Sequence, residues 1–296
     1  MKTYLECIPC FFRQALDAAR IAGASQEIQK RILDELGQIL PGISLNASPP
    51  EMGGIIHELV KKMTKKNDPY KEIKEESNRL ALGVYDHLKK KVQESKDPLF
   101  TAVELAIAGN IIDYGVKNSL NIHKELQSIL NTENQIIKKE KKYFFNFIDF
   151  KKTLNDSETI LYLADNAGET VFDRILIEEI KALYDGKKII YAVKGKPIIN
   201  DALVEDARAC GIDQIAEVIS SGLDVPGTII DLCSKGFKEI YIHADMVISK
   251  GQGNFEALSE GKRPIFFLFM AKCPVVVEEL GCHLRDIILL YHSPKK

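Results

Sequence analysis

The segment 159–170 reads Thr159-Ile-Leu-Tyr-Leu-Ala-Asp165-Asn166-Ala-Gly168-Glu169-Thr170, and it decides the class of fold. Residues 160–164 are mostly apolar, which is typical of a buried strand in a parallel sheet. The run ends at an acid and an amide, and the apolar residues beyond Gly168 follow helical spacing. This change predicts a strand–loop–helix unit with Asp165 and Asn166 at the carboxyl end of the strand.

The position of these polar residues predicts a binding site. In open α/β sheets, ligands bind in the crevice beyond the carboxyl ends of the strands. Thr170 is predicted to cap the next helix, and its amino end, which attracts anions, is expected beside Asp165 and Asn166. The same residues are also typical of an ordinary strand-to-helix turn. Glu169 fits two roles, either orienting water or contacting substrate, or adding a favourable charge to the helix N-terminus.

A second strand is predicted at residues 189–193, and Asp201 follows it before the next helix. Because parallel strands end at the same edge of a sheet, Asp201 should lie near Asp165 and Asn166. Carboxylate and amide oxygens are the ligands that hard divalent cations prefer. The chain has no closely spaced histidine pair and no second CxxC motif for a zinc site. Taken alone, Asp201 is more typical of a helix N-cap, and its role as a ligand depends on Asp165 and Asn166.

A third unit places Lys250-Gly251-Gln-Gly253-Asn254 after a strand predicted at 246–249. The glycines let the backbone approach a ligand closely, and Asn254 is predicted to cap a helix. Lys250 is predicted to stand at the sheet edge as a point charge suited to phosphate. The alternative is an ordinary glycine turn with a solvated lysine.

The chain changes character near residue 150. Residues 1–150 show helical spacing of apolar residues, whereas short apolar strands alternate with helices in the remainder. This predicts a helical domain over 1–150 and an α/β domain over 151–296 with a mainly parallel sheet. The predicted strands are 160–164, 189–193, 215–219, 246–249 and 265–269.

The composition is that of a globular protein and excludes two classes of partner. The chain has 296 residues, of which 45% are hydrophobic and 28% charged, with a formal net charge of −2 at pH 7. This balance argues against nucleic-acid binding, and the longest apolar runs fall short of a membrane span. The amino-terminal segment lacks a signal-peptide pattern. We therefore expect a cytoplasmic protein that acts on a small molecule.

Two of the six cysteines form a CxxC pair, Cys7 and Cys10, near the start of the first predicted helix. A helix N-terminus favours the thiolate form, which points to Cys10. Cys273 would be a third partner if the two ends of the chain meet. The three residues are a candidate second metal or redox site, and the alternative is inert packing in the interior.

Further segments, together with the three units above, resemble one known family. These segments are Cys7–Ala15, Asn67–Tyr70, Ala108–Gly115, Ser221–Thr228 and Ala271–Pro274. They run in order over nearly the whole chain. In that order they resemble the archaeal and bacterial branch of the metal-dependent damage-control phosphatases, long catalogued as domain of unknown function 89.

The resemblance implies a helical amino-terminal domain packed on a three-layer α/β/α domain, with the site between them. It implies metal ligands at Asp165, Asn166 and Asp201, and phosphate contacts at Lys250 and Asn110. The resemblance also implies an activity, because members of the family hydrolyse phosphate monoesters of small metabolites, often sugar phosphates. They do so with a divalent metal ion such as manganese, cobalt, nickel or magnesium.

We therefore predict a metal-dependent phosphomonoester hydrolase. The side chain of Lys250 and the backbone N–H groups around Gly168 and Gly251 are predicted to neutralise charge on the phosphoryl oxygens. Glu169 and Asn254 are further candidates for substrate contacts.

Two rival functions remain. A haloacid-dehalogenase-like phosphatase, which forms an aspartyl phosphate, requires an acid at position 167, where this chain has Ala167. The other is a non-catalytic metal- or nucleotide-binding protein, which an assay of turnover would separate from an enzyme.

Overall fold

The structure is a computed structural model that describes residues 1–109 and 144–293. Its centre is a six-stranded sheet with the strand order β3-β2-β1-β4-β5-β6. The first five strands pair in parallel, and β6 pairs antiparallel with β5. The strands are β1 (Thr159–Leu163), β2 (Lys188–Val193), β3 (Glu217–Ser220), β4 (Met246–Lys250), β5 (Ile265–Met270) and β6 (Ile287–His292).

Helices of the described residues lie before and between these strands. Those that precede the sheet are α1 (Cys7–Ile21), α2 (Gln26–Ile39), α3 (Pro49–Thr64), α4 (Lys71–Leu82), α5 (Tyr85–Glu94), α6 (Pro98–Ala108) and α7 (Phe147–Asp156). Those within the α/β part are α8 (Glu169–Leu183), α9 (Val204–Ala209), α10 (Lys235–His243), α11 (Gln252–Leu258) and α12 (Pro274–Leu280). None of the described helices combines the length and the apolar character that crossing a membrane requires.

The sheet is covered by helices on both faces, which gives three layers. Side chains alternate along β1, so that Ile160 and Tyr162 face one core and Leu161 and Leu163 face the other. Helices α4 to α9 contribute to the first core, and α1 to α3 with α10 to α12 contribute to the second. Both cores thus extend across residue 150, where the chain changes only from consecutive helices to alternating strands and helices.

The predicted fold class is confirmed. Every predicted strand is present, and its ends lie within two residues of the prediction. Strand β6, which lies at the sheet edge and pairs antiparallel with β5, is not among the predicted strands. Of the predicted site residues, Asn110 lies outside the described residues.

Candidate active site

Three neighbouring parallel strands bring the predicted site residues to one edge of the sheet. Asp165 follows β1, Asp201 follows β2, and Lys250 is the last residue of β4. Because β1 lies between β2 and β4, the three carboxyl ends are adjacent. The direction of strand addition also reverses between β1 and β4, which is where open α/β sheets bind ligands.

The backbone that follows β1 runs beside the backbone that follows β2. Asn166 and Asp201 form an isolated antiparallel bridge. Next to it, the Ala202 N–H donates to the Asp165 carbonyl oxygen at 2.9 Å. These contacts fix the two loops against each other, so the structure brings Asp165, Asn166 and Asp201 together.

The side-chain amide of Asn166 is held by two carboxylates. Its Nδ2 donates to Asp165 Oδ2 at 3.0 Å and to Glu169 Oε1 at 2.9 Å. Because these two bonds use both amide protons, the amide oxygen is directed away from the two acids. Asn166 and Asp201 are buried, whereas Asp165 is partly exposed. Solvent therefore reaches this group at Asp165.

Gly251 packs directly against the carboxylate of Asp165. A Cβ added at Gly251 would lie 2.0 Å from Asp165 Oδ2, and the φ of 82° is one that residues with a side chain rarely adopt. The Gly251 N–H donates to Leu268 O at 3.0 Å, and the Gly168 N–H donates to Asn78 Oδ1 at 2.7 Å. The N–H groups of these two glycines are thus engaged within the chain, and substrate contacts by the N–H groups around them stay a prediction.

The ammonium group of Lys250 is buried between two acids. Its Nζ lies 2.7 Å from Asp173 Oδ1 and 3.1 Å from Glu169 Oε2, and all three side chains have 0% exposure. Burial alone would lower the pKa of Lys250, but the two carboxylates outweigh it and raise this pKa above its usual value. In this geometry Lys250 is a buried counter-ion of Glu169 and Asp173. The sequence instead predicts that Lys250 stands at the open edge of the sheet.

Asp173 is the centre of a buried hydrogen-bond group behind the site. Tyr162 Oη donates to Asp173 Oδ1 and Tyr191 Oη donates to Asp173 Oδ2, each at 2.7 Å. Burial, together with the charge of Asp173, holds the pKa of both tyrosines well above the usual value. Both hydroxyls therefore remain proton donors and fix the carboxylate that holds Lys250.

Asn254 joins the ends of two strands. It lies inside the first turn of α11, and Gly251 takes the N-cap position that the sequence assigns to Asn254. Its Nδ2 donates to Ala164 O at 3.1 Å and to Lys250 O at 2.7 Å, while its Oδ1 accepts from Thr228 Oγ1 at 2.7 Å. Both ends of the amide are thus engaged by the chain, where the sequence predicts a substrate contact.

A second lysine, Lys194, lies next to Asp201. It follows β2 directly, is 5% exposed, and its Nζ stands 3.4 Å from Asp201 Oδ2. The same ammonium group donates to the carbonyl oxygen of Gly227. Lys194 therefore contacts one of the candidate metal ligands directly.

The polar residues that are linked by hydrogen bonds, ion pairs and the backbone bridge between Asn166 and Asp201 carry an excess of negative charge. The ionisable members are Asp165, Glu169, Asp173, Asp201, Lys194 and Lys250. With four carboxylates and two ammonium groups, the set has a formal excess of two negative charges. Since buried charge is costly unless it is compensated, this group is suited to a divalent cation.

Helix α4 supports the site from the helical part of the chain. Asn78, whose Oδ1 accepts from the Gly168 N–H, also donates from Nδ2 to Asp206 Oδ1 at 2.8 Å. Asp206 Oδ2 accepts from the Leu203 N–H at 2.9 Å, and burial raises the pKa of Asp206. Lys74, which lies 2.9 Å from Asp68, stands 3.8 Å from Asp206. One buried group thus connects the loop after β1 with the loop after β2.

Comparison with known proteins identifies the family. The chain matches the model of the damage-control phosphatase ARMT1-like domain over residues 3–288. It belongs to this family. The resemblance drawn from the ordered motifs is thereby confirmed, and family membership supports a phosphatase activity.

Relatives in three archaea cover almost the same length. The chain is 38% identical over 298 residues to an uncharacterized protein of Methanocaldococcus jannaschii, covering 96% of this chain and 94% of that protein. It is 36% identical over 283 residues to a damage-control phosphatase of Pyrococcus horikoshii, with coverage of 95% and 94%. It is 33% identical over 291 residues to a damage-control phosphatase of Archaeoglobus fulgidus, with coverage of 97% and 98%.

A solved structure agrees with this assignment. The crystal structure of a protein of the domain of unknown function 89 family from Pyrococcus horikoshii superposes with a TM-score of 0.87. The sequence identity is 34%, and the match covers 99% of this chain and 100% of that chain.

Three buried residues of this damage-control phosphatase family member are not among the predicted site residues, and two of them have a clear signal in the sequence. Asp173 follows Glu169 by four residues, which places two acids on one side of α8. Lys194 precedes Gly195, so a lysine–glycine pair ends β2 as Lys250-Gly251 ends β4. Asn78 follows Lys74 by four residues, which places both on one side of α4. No local pattern indicates its partners Gly168 and Asp206.

The three cysteines of the predicted second site lie near one another, since, besides burial, the charge of Cys273 raises the pKa of both Cys7 and Cys10, and their metal or redox role stays a prediction. Cys7 is buried, Cys10 is exposed and Cys273 is intermediate, and all three are free thiols. Within residues 1–109 and 144–293, no group of three or more His, Cys, Asp or Glu residues could hold a metal ion. Desolvation is the largest effect on Cys10 and raises its pKa, with the neighbouring Cys273 adding to it. The pKa of Cys10 is thus shifted in the direction opposite to the one that a helix N-terminus predicts.

Proposed function

We propose that this chain is a phosphatase that depends on a divalent metal ion and hydrolyses phosphate monoesters of small metabolites, such as sugar phosphates or damaged metabolites. Its membership of the damage-control phosphatase family supports the hydrolysis. The observation that carries the proposed metal dependence is the meeting of Asp165, Asn166 and Asp201 within a group that has surplus negative charge.

The donor atoms at the site fit a hard divalent cation. Asp165 and Asp201 offer carboxylate oxygens and Asn166 offers an amide oxygen, with no sulfur ligand among them. Because these three residues offer only two carboxylates and one amide, water and substrate oxygens would complete the coordination. We propose manganese, cobalt, nickel or magnesium as the cation.

The chain's own residues prepare this site for phosphoryl transfer. When bound, a divalent cation polarises a phosphoryl oxygen and lowers the pKa of a bound water. Gly251 leaves space for the Asp165 carboxylate, Glu169 orients the amide of Asn166, and Lys250 holds Glu169. Because these side chains are already fixed, little reorganisation would accompany the reaction.

The rival functions have less support. An aspartyl-phosphate phosphatase of the haloacid dehalogenase kind needs a second acid two residues after the first. The chain has Ala167 at that position, and its side chain is 2% exposed. A non-catalytic binding protein would hold the metal ion without turnover.

Phosphatase assays on metal-stripped protein test the proposal. After EDTA treatment and dialysis, activity towards p-nitrophenyl phosphate should be lost and should return with manganese, cobalt, nickel or magnesium. In a panel of substrates, sugar phosphates should be hydrolysed faster than phosphopeptides or oligonucleotides. Full activity in excess EDTA would contradict the metal dependence, and preference for a phosphopeptide would contradict the substrate class.

A variant pair localises the activity. Asp165→Asn keeps the shape of the side chain but removes a ligand charge, and it should reduce turnover about 100-fold or more. The control is Asp213→Asn, an exposed acid outside the linked group, which should retain the wild-type rate. Equal activity of the two variants would remove Asp165 from the site.

A further inference from the structure

We propose that Lys194 is the lysine that binds the phosphoryl oxygens of the substrate, and that Lys250 is a permanent counter-ion inside the protein. This inference rests on the proposed metal-dependent phosphatase function and adds the position of the phosphate. It starts from the two lysine–glycine pairs that end β2 and β4 at the same edge of the sheet.

The two lysines differ in how firmly acids engage them. Lys250 makes contacts of 2.7 and 3.1 Å with two acids, and its side chain has 0% exposure. Lys194 makes one looser contact, 3.4 Å to Asp201 Oδ2, and its side chain is 5% exposed. That exposure is comparable to the 7% of Asn166, a candidate metal ligand. Lys194 is therefore about as exposed as the candidate ligand Asn166, whereas the side chain of Lys250 is fully buried.

The remaining hydrogen-bonding capacity of Lys194 also favours an anionic ligand. An ammonium group has three N–H donors. Among the described residues, Lys194 Nζ contacts the Asp201 carboxylate and the Gly227 carbonyl oxygen. One donor is thus left for a ligand. Since that donor lies beside a candidate metal ligand, a phosphoryl oxygen near Asp201 can reach Lys194.

Because Lys194 and the cation share Asp201 as a partner, removal of the lysine should change the affinities for the metal ion and for phosphate in opposite directions. Lys194 and a divalent cation both interact with the carboxylate of Asp201, so the lysine weakens metal binding by repulsion. Without the lysine, the cation should bind more tightly, and phosphate should bind the metal-loaded protein more weakly. A residue that only maintained the structure would weaken both when removed.

Calorimetric titration distinguishes these outcomes. We suggest titrating Mn²⁺ into metal-free protein, and then inorganic phosphate into the Mn²⁺-loaded protein. For Lys194→Met, the affinity for Mn²⁺ should rise about tenfold, the order expected from one nearby charge, and the affinity for phosphate should fall about tenfold. Turnover of p-nitrophenyl phosphate should fall about 10²–10³-fold, as when one donor to a developing oxyanion is lost.

Two further variants keep the experiment decisive. Lys196→Met, which removes an exposed lysine paired with Asp224, should leave both affinities unchanged. Lys194→Gln keeps a polar donor and replaces Lys194→Met in the titrations if that variant does not fold. It too should raise the affinity for Mn²⁺ and lower the affinity for phosphate.

Each alternative result has a distinct meaning. If phosphate affinity is unchanged while Mn²⁺ still binds, Lys194 is not the phosphate ligand. This result would overturn the inference and leave the proposed function standing. Weaker binding of both ligands would assign Lys194 a purely structural role and would also overturn it. If wild-type protein binds no Mn²⁺ and has no phosphatase activity, the proposed function fails and this inference fails with it.

Discussion

Replacing Lys250 with methionine should destabilise the protein strongly. The variant Lys250→Met keeps the length of the side chain but leaves Glu169 and Asp173 without their shared cation. All three side chains are fully buried, with contacts of 2.7 and 3.1 Å to the lysine. Removing one partner of a buried ion pair costs about 3–5 kcal/mol, because the remaining charge is left uncompensated.

The structure indicates how this loss can be reduced. Two tyrosine hydroxyls donate to Asp173, and Asn166 donates to Glu169, so both acids keep hydrogen bonds after the lysine is removed. Asp173→Asn, added to Lys250→Met, removes one uncompensated charge while retaining an acceptor. The double variant should therefore recover part of the lost free energy of unfolding.

Urea unfolding followed by far-UV circular dichroism measures these effects. A loss of about 3–5 kcal/mol is a large share of the 5–15 kcal/mol that is typical of folded proteins, so Lys250→Met should fold but unfold at much lower urea concentration. The surface variant Lys196→Met is the control. A loss below about 1 kcal/mol, together with weakened phosphate binding, would refute the reasoning and return the phosphate role to Lys250.

Three further predictions follow from single contacts. Gly251→Ala places a Cβ 2.0 Å from Asp165 Oδ2 and should weaken Mn²⁺ binding about 10- to 100-fold, whereas Gly236→Ala, which meets no atom within 4 Å, should not. Asn78→Ala should also weaken Mn²⁺ binding about 10- to 100-fold in a calorimetric titration, whereas Glu75→Ala, at an exposed position of α4, should not. If both variants bound Mn²⁺ equally well, the supporting role of Asn78 in α4 would be contradicted. Burial, and then the charge of Lys61, lowers the pKa of His57 from 6.5 to about 4, so stability is lost as the unfolded chain takes up a proton below about pH 6.5. Urea unfolding at about pH 5 and about pH 7.5 should show a loss of about 2 kcal/mol that His57→Phe lacks, and an identical loss in the variant would contradict this assignment.

The sequence predicted the parallel part of the sheet because each strand is a local apolar run followed by a helix. Strand β6 has no such context, since it pairs antiparallel with β5 and no helix follows it among the described residues. Its place therefore depends on long-range pairing that local patterns do not show. The site could be located because parallel strands end at one edge, which brings Asp165, Asn166 and Asp201 together as expected.

The surroundings of Lys250 could not be predicted in the same way. Strand periodicity places Lys250 on the same face as Met246 and Ile248, and both of these lie in the core that α8 covers. The sequence alone does not say which helix covers that face, so Asp173 could not be named as the partner. The predicted contact with phosphate followed from the position of Lys250 at a strand end and took no account of the direction of its side chain.

The face of the sheet also separates the roles of the two lysines. Along β2, Ile190 and Ala192 belong to the core opposite to α8, and alternation places Lys194 on their side. Glu169 and Asp173 belong to α8, so they compensate Lys250 and are not placed to compensate Lys194 in the same way. Lys194 depends instead on Asp201, which the proposed function assigns to the metal ion. A lysine whose acid partner is shared with a cation is the one whose charge becomes available to the substrate when that cation binds.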